Sequence, residues 1–168
     1  MPASTATTEA TRIAPLVRGR VGIDGPDAAG KTTLADALAE LTGLPRVRAD
    51  DHLAAPEVRY ARGSLSPEGY YADAFDLPAL RAAVLAHEAC VVDGVFLFRP
   101  ELDDLWDVRV FVDVDPDEQR RRVLARDAAR FGSEEEVLRR YAARYVPAYE
   151  KYRAAIDPES HADVVLRC

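Results

Sequence analysis

The stretch Gly25-Pro-Asp-Ala-Ala-Gly30-Lys31-Thr32 has the spacing G-x-x-x-x-G-K-[ST]. Glycines at its two ends let the backbone turn sharply and approach a ligand closely. The N–H groups of such a loop converge on an anion, and a helix starting at Lys31 adds its positive end. Lys31 would reach the β- and γ-phosphates of a nucleotide, and the Thr32 hydroxyl would hold Mg²⁺. Gly25, Pro26, Asp27, Ala28, Ala29, Gly30, Lys31, Thr32 and Thr33 are therefore the expected nucleotide-binding set. The chain has only two lysines, Lys31 and Lys151, against twenty arginines. One of the two falls where a compact ammonium suits phosphate.

Two acidic positions extend this chemistry. Asp93 follows the apolar run Cys90-Val91-Val92, so a carboxylate is expected at a strand end, where it can hold Mg²⁺ directly or through water. Asp50 and Asp51 end a second β-like run. A carboxylate beside a transferring phosphate can take the proton of an acceptor hydroxyl. Adjacent side chains on a strand point to opposite sides, so one of the pair is expected to face the site.

Arg122, Arg126 and Arg130 recur at i, i+4, i+8 and share one helical face. With the break at Phe131-Gly132-Ser133 they read as a hinged lid that sheds water and neutralises charge. Tyr141, Tyr145, Tyr149 and Tyr152 have helical spacing and read as core. His52 and His87 show no metal-ligand spacing, and His161 reads as a loop residue rather than a catalytic base.

These side chains need a scaffold that gathers them, and the pattern supplies one. Short apolar runs alternate with helical stretches: strands at 20–24, 46–49, 89–92, 108–114 and 162–166, helices at 31–42, 116–131 and 134–156. Shorter helices are expected from 66, over 76–87 and over 99–106, and residues 53–65 read as loop. Pro147 is expected to bend the 134–156 helix. Such alternation predicts an α/β fold, a five-stranded parallel sheet with helices on both faces and a helical lid. Ligands in such sheets bind at the carboxyl ends of the strands, where Gly25–Thr32, Asp50-Asp51 and Asp93 all fall.

The 168 residues fit one domain over 18–168, with 1–17 expected as a flexible tail. Apolar residues make up 48 % and the net charge is −7, which argues against a nucleic-acid binder. Residues 117–153 nonetheless carry ten basic and seven acidic side chains, a local positive excess beside the phosphate loop. Two cysteines make no disulfide framework. No membrane span or secretory signal is legible, so a cytoplasmic protein is expected. Homo-oligomerisation stays open.

The ordered series Gly22–Thr33, Asp50-Asp51-His52, Asp93-Gly-Val-Phe-Leu-Phe98, Leu105–Asp113, Arg121-Arg-Val-Leu-Ala-Arg-Asp127 and Tyr145-Val-Pro-Ala-Tyr149 resembles the uridine kinase branch of the P-loop nucleoside kinases, in a short form. The resemblance spans about residues 21–166. It implies a P-loop kinase core and Mg²⁺-dependent transfer of the γ-phosphate of ATP or GTP to a small-molecule acceptor, a nucleoside 5′-hydroxyl. By motif position it implies Asp50 as catalytic aspartate, Asp93 as the Mg-associated acid, and Arg126 and Arg130 as lid arginines acting with Lys31. Candidate acceptor contacts are Asp51, His52, Arg59, Tyr70, Tyr71 and Asp73. The acceptor segment is shortened relative to the family, to Tyr70-Tyr71-Ala72-Asp73. The same chemistry on pantothenate, a sugar or a natural-product alcohol stays open, as does a nucleotide-binding regulatory protein.

Overall fold

The computed structural model describes all 168 residues. Five strands form one parallel sheet: β1 (Arg20–Asp24), β2 (Arg46–Arg48), β3 (Cys90–Asp93), β4 (Val108–Asp113) and β5 (Val164–Arg167). Their spatial order is β2-β3-β1-β4-β5. The order reverses around β1, so β1 ends between neighbours whose connections cross opposite faces, a crevice suited to ligands.

The strands alternate sides with period two. Val21, Ile23, Val91, Val108, Val110 and Val112 face one core with Leu34, Ala35 and Leu38 of α2 (Lys31–Thr42). Cys90, Val92 and Phe111 face the other, with Leu80, Phe96, Trp106, Tyr149 and Tyr152. Apolar side chains on both strand faces follow from helices covering both sides.

Residues 1–17 are not a loose tail. Ala3–Ile13 is a helix, α1, with Ala6, Ala10 and Ile13 fully buried. Those residues recur on one helical face, and Ala10 and Ile13 join the core that α2 also fills. The abundance of Thr and Ala hid a narrow apolar stripe.

Short helices α3 (Pro56–Arg59), α4 (Pro67–Asp73) and α5 (Leu77–Leu85) follow β2, so the expected loop 53–65 contains one helical turn. The Ser66 and Asp76 side chains cap α4 and α5 by accepting from Gly69 N and Ala79 N. The expected helix over 99–106 is only a 3₁₀ turn at Asp103–Leu105. Trp106 is extended there, and its indole N–H donates to Leu97 O at 2.9 Å.

Asp115 caps α6 (Pro116–Phe131), accepting from Asp117 N and Glu118 N, and Gly132 ends it in the left-handed conformation. Ser133 caps α7 (Glu134–Arg140). The long helix expected over 134–156 is interrupted by a π-helical turn at Tyr141–Tyr145 before α8 (Val146–Ile156). Pro147 lacks an N–H, so it cannot donate into the preceding turn, and the widened turn takes up the irregularity. No helix is long and apolar enough to cross a membrane.

Candidate active site

β1 delivers the chain into the phosphate loop. Gly25 has φ +153°, and a Cβ there would lie 2.1 Å from Val112 O. Gly30 has φ +101° and directly precedes α2. Both glycines are thus demanded by backbone geometry. Asp27, Ala28, Gly30, Lys31, Thr32 and Thr33 line a cavity of about 360 Å³ together with Asp50, Asp51, Asp93, Arg122 and Arg126. Gly25, Pro26 and Ala29 shape the turn without lining it.

Lys31 is buried, and its Nζ donates to Pro26 O at 2.7 Å. Desolvation lowers its pKa, opposed by the charges of Asp27, Asp24, Asp93 and Asp50. An ammonium already folded over the loop is positioned for phosphate oxygens.

At the end of β3, Asp93 Oδ2 accepts from the Thr32 hydroxyl at 2.6 Å. Its other oxygen accepts from Arg46 Nη2 at 2.8 Å. Oxygen donors of this kind, one carboxylate and one hydroxyl beside a phosphate cavity, fit Mg²⁺, which keeps several waters and binds through one or two carboxylates plus phosphates. No cluster of three or more His, Cys, Asp or Glu forms an all-protein metal cage.

Asp50 sits in the 3₁₀ turn Ala49–His52 after β2 and lines both the phosphate cavity and a second one of about 520 Å³. Its pKa is raised, first by desolvation in the recess and then by the negative charge of Asp27, with Lys31 opposing. Although its carboxylate is recessed, the residue keeps solvent access.

The second cavity lies under α6 and the π turn. Arg59, Tyr60, Tyr70, Phe75, Arg126, Arg130, Tyr141 and Tyr145 contribute to its wall. Arg126 donates to both oxygens of Asp127 at 2.9 and 2.8 Å and to the Tyr141 hydroxyl at 2.8 Å. That triad fixes the guanidinium at the junction of the two cavities. Tyr141 and Tyr145 therefore serve the wall as well as the core.

Of the sequence-derived acceptor contacts, Arg59 and Tyr70 line this second cavity, and Asp51 lines the phosphate cavity instead. His52, Tyr71 and Asp73 line neither. Tyr71 packs its ring on Phe96 and beneath the Arg99 guanidinium, while Asp73 pairs with Arg62 at 2.7 Å. The helical spacing of α4 turns Tyr70 inward and these two away.

Sequence reasoning missed two contributors and misplaced a third. Arg46 grips Asp93 from the start of β2. Arg122, assigned to the lid, instead donates to Ala28 O and Ala29 O at 3.1 and 3.2 Å and so braces the phosphate loop. Asp24, fully buried at the end of β1, accepts from Gly25 N at 2.6 Å, the Tyr152 hydroxyl at 2.5 Å and Leu97 N at 3.1 Å. A carboxylate closing an otherwise apolar strand was the available signal for it.

No family model matches the chain. Over 79 residues, 45 % of the chain, it is 35 % identical to a uridine kinase of Chlamydia pneumoniae. The matched stretch covers 34 % of that protein, so the chain spans about a third of the length of the curated relative it matches. Among solved structures, one described as a "possible uridine kinase" from Bacillus stearothermophilus superposes with a TM-score of 0.71 at 22 % identity, covering 99 % of this chain and 100 % of that one. The chain has a uridine kinase-like P-loop kinase fold. Shikimate kinase from Bacteroides thetaiotaomicron shares the P-loop kinase architecture less closely, with a TM-score of 0.52, 21 % identity and coverage of 89 % of this chain and 85 % of that one. Within this P-loop kinase fold the phosphate cavity lies at the carboxyl ends of β1, β2 and β3, and the second cavity opens beside it.

Proposed function

We propose that the protein transfers the γ-phosphate of ATP or GTP to a hydroxyl of a small molecule, with the 5′-hydroxyl of uridine or cytidine as first candidate. The observation that carries this reading is the meeting of two cavities at Asp27, Asp50 and Arg126. One has the loop, lysine and oxygen ligands of a nucleotide site; the other is walled by tyrosines and arginines and has the size of a small-molecule pocket.

In this reading the loop amides and Lys31 hold the donor phosphates. Thr32 and Asp93 would hold Mg²⁺, which neutralises charge on the phosphate oxygens when bound. Asp50 orients the acceptor hydroxyl and receives its proton. Its raised pKa makes it a better proton acceptor than an ordinary aspartate. Arg126, locked by Asp127 and Tyr141, faces the charge that builds on the moving phosphoryl group, and Arg130 follows it on the same helical face. Positioning and charge neutralisation are what in-line transfer chiefly needs.

The nucleoside is supported by the sequence similarity to a uridine kinase. A second reading, a non-nucleoside alcohol, is supported by Tyr71 and Asp73 standing outside the pocket, which leaves the shortened segment with Tyr70 as its one wall residue. Mg-ATP mixed with a panel of nucleosides and other alcohols, with ADP release followed, tests both. Release only with uridine or cytidine supports the first, and release with another alcohol the second. ATP binding without acceptor-dependent release with any of them would overturn both.

A further inference from the structure

Asp27 is an odd residue for a phosphate loop. A carboxylate in the middle of a loop built to hold anions repels its ligand unless it is turned away. In this chain Asp27 is shared between the two cavities: its charge bears on Lys31, and one carboxylate oxygen meets the second cavity. Tyr70, a wall residue of the second cavity, has its hydroxyl 3.4 Å from Asp27 Oδ2. Asp27 lines that cavity as well as the phosphate one. Its charge is the foremost electrostatic influence on Tyr70, Tyr141 and Tyr145, each secondary only to burial. It is likewise the foremost electrostatic influence on Asp50. The main chain of Asp27 is held independently, since its carbonyl accepts from Gln119 Nε2 of α6 at 2.9 Å. The loop thus keeps its shape while the carboxylate serves the neighbouring cavity.

We propose that Asp27 is a specificity-determining residue of the acceptor pocket: it accepts a hydrogen bond from a second, non-reacting hydroxyl of the acceptor while Asp50 faces the reacting one, so the acceptor is a polyol. This rests on the phosphotransferase reading above. An ionised carboxylate offers only acceptor sites, so it selects a partner that carries a donor. A pocket built to bond a hydroxyl disfavours the analogue that lacks it, because the half-buried carboxylate then keeps only its long contact with the Tyr70 hydroxyl. Two carboxylates at one junction also ask for two donors, and a mono-alcohol supplies one.

The test is Asp27→Asn, which keeps size and backbone but removes the charge. Uridine and 2′,3′-dideoxyuridine are compared as acceptors by kcat/KM, and by calorimetry in the presence of Mg²⁺ and a non-hydrolysable ATP analogue. The wild-type protein should prefer uridine at least tenfold. In Asp27→Asn the acceptor KM should rise at least tenfold and the preference collapse, while the KM for Mg-ATP stays level or falls, because a charge repelling phosphate has gone. A thermal unfolding midpoint matching the wild type shows that the loop survives. A raised Mg-ATP KM with an unchanged preference would assign Asp27 to the nucleotide and overturn the proposal. Efficient turnover of dideoxyuridine or of a mono-alcohol such as 1-propanol would overturn it while leaving the phosphotransferase intact. If neither uridine nor a panel of sugars and polyols binds the wild type, it falls as well. Absence of ATP binding would instead count against the wider reading.

Discussion

Thr32 and Asp93, sixty-one positions apart in the chain, meet with their side-chain oxygens 2.6 Å apart. Parallel pairing of β1 with β3 brings them together, with Ile23 opposite Asp93 in register. Arg46 takes the other Asp93 oxygen, and Arg46 itself is tied to Asp36 of α2 at 3.0 Å. The carboxylate is therefore aimed before any metal arrives.

Asp93→Asn should keep this packing but weaken Mg²⁺ binding. Metal charge stabilisation amounts to several kcal/mol, so turnover should fall on the order of 10²-fold or more at fixed Mg²⁺. Titrating Mg²⁺ while following ADP release checks it, and the half-saturating Mg²⁺ concentration should rise. An unchanged Mg²⁺ requirement would remove Asp93 from the metal site.

Asp50→Asn should lower turnover by about 10²- to 10⁴-fold, the range of a positioned general base, and spare ATP binding. Because burial and Asp27 raise the Asp50 pKa, activity in the wild type should climb with pH through a midpoint above the usual aspartate value. The variant should lose that limb. An intact rate in Asp50→Asn would disprove the proton-acceptor role.

Much of this site was readable before any coordinates. Loop spacing fixed Lys31 and Thr32, and apolar runs ending in Asp located β3 with Asp93. Side-chain direction was not readable. Whether Tyr70 or Tyr71 enters the pocket depends on how α4 rotates against Phe96, a tertiary contact. Asp27 reads from sequence as a nucleotide-binding loop residue, because its spacing says nothing of its carboxylate's heading. Arg46 was lost among twenty arginines and Arg122 was read as a lid residue, since a guanidinium that grips another residue has no local signature. The α1 helix escaped because three buried small or aliphatic residues make a weak pattern in a Thr-rich segment.

The burial of Asp24 should make stability depend on pH, and its bond from Tyr152 should temper that dependence. Burial raises the Asp24 pKa from 3.8 to about 6. Between those values the native state holds a proton that the unfolded chain has released, so stability falls as pH rises and levels off above about pH 6. A separation of roughly two pH units corresponds to about 3 kcal/mol. Tyr152→Phe removes a donor that favours the ionised form. It should destabilise by about 1.5–3 kcal/mol at pH 7, the range for a bond to a charged group, and by less at pH 4.5. Urea unfolding of both proteins at the two pH values gives the difference directly. An equal loss at both would mean that the hydroxyl does not bear on Asp24 ionisation.

Ile13→Ala tests whether α1 belongs to the folded unit. Ile13 is fully buried in the core that also holds Val21, Ile23 and Leu38. Truncating such a side chain costs about 2–5 kcal/mol through lost transfer energy and the cavity left behind. Thr8 sits on the exposed face of the same helix, where its hydroxyl bonds only to the Ser4 carbonyl one turn back. Thr8→Ala should therefore stay within about 0.5 kcal/mol of wild type. Chemical denaturation of the two variants separates the outcomes. If Ile13→Ala unfolds with the same midpoint as Thr8→Ala, α1 is not part of the cooperative core.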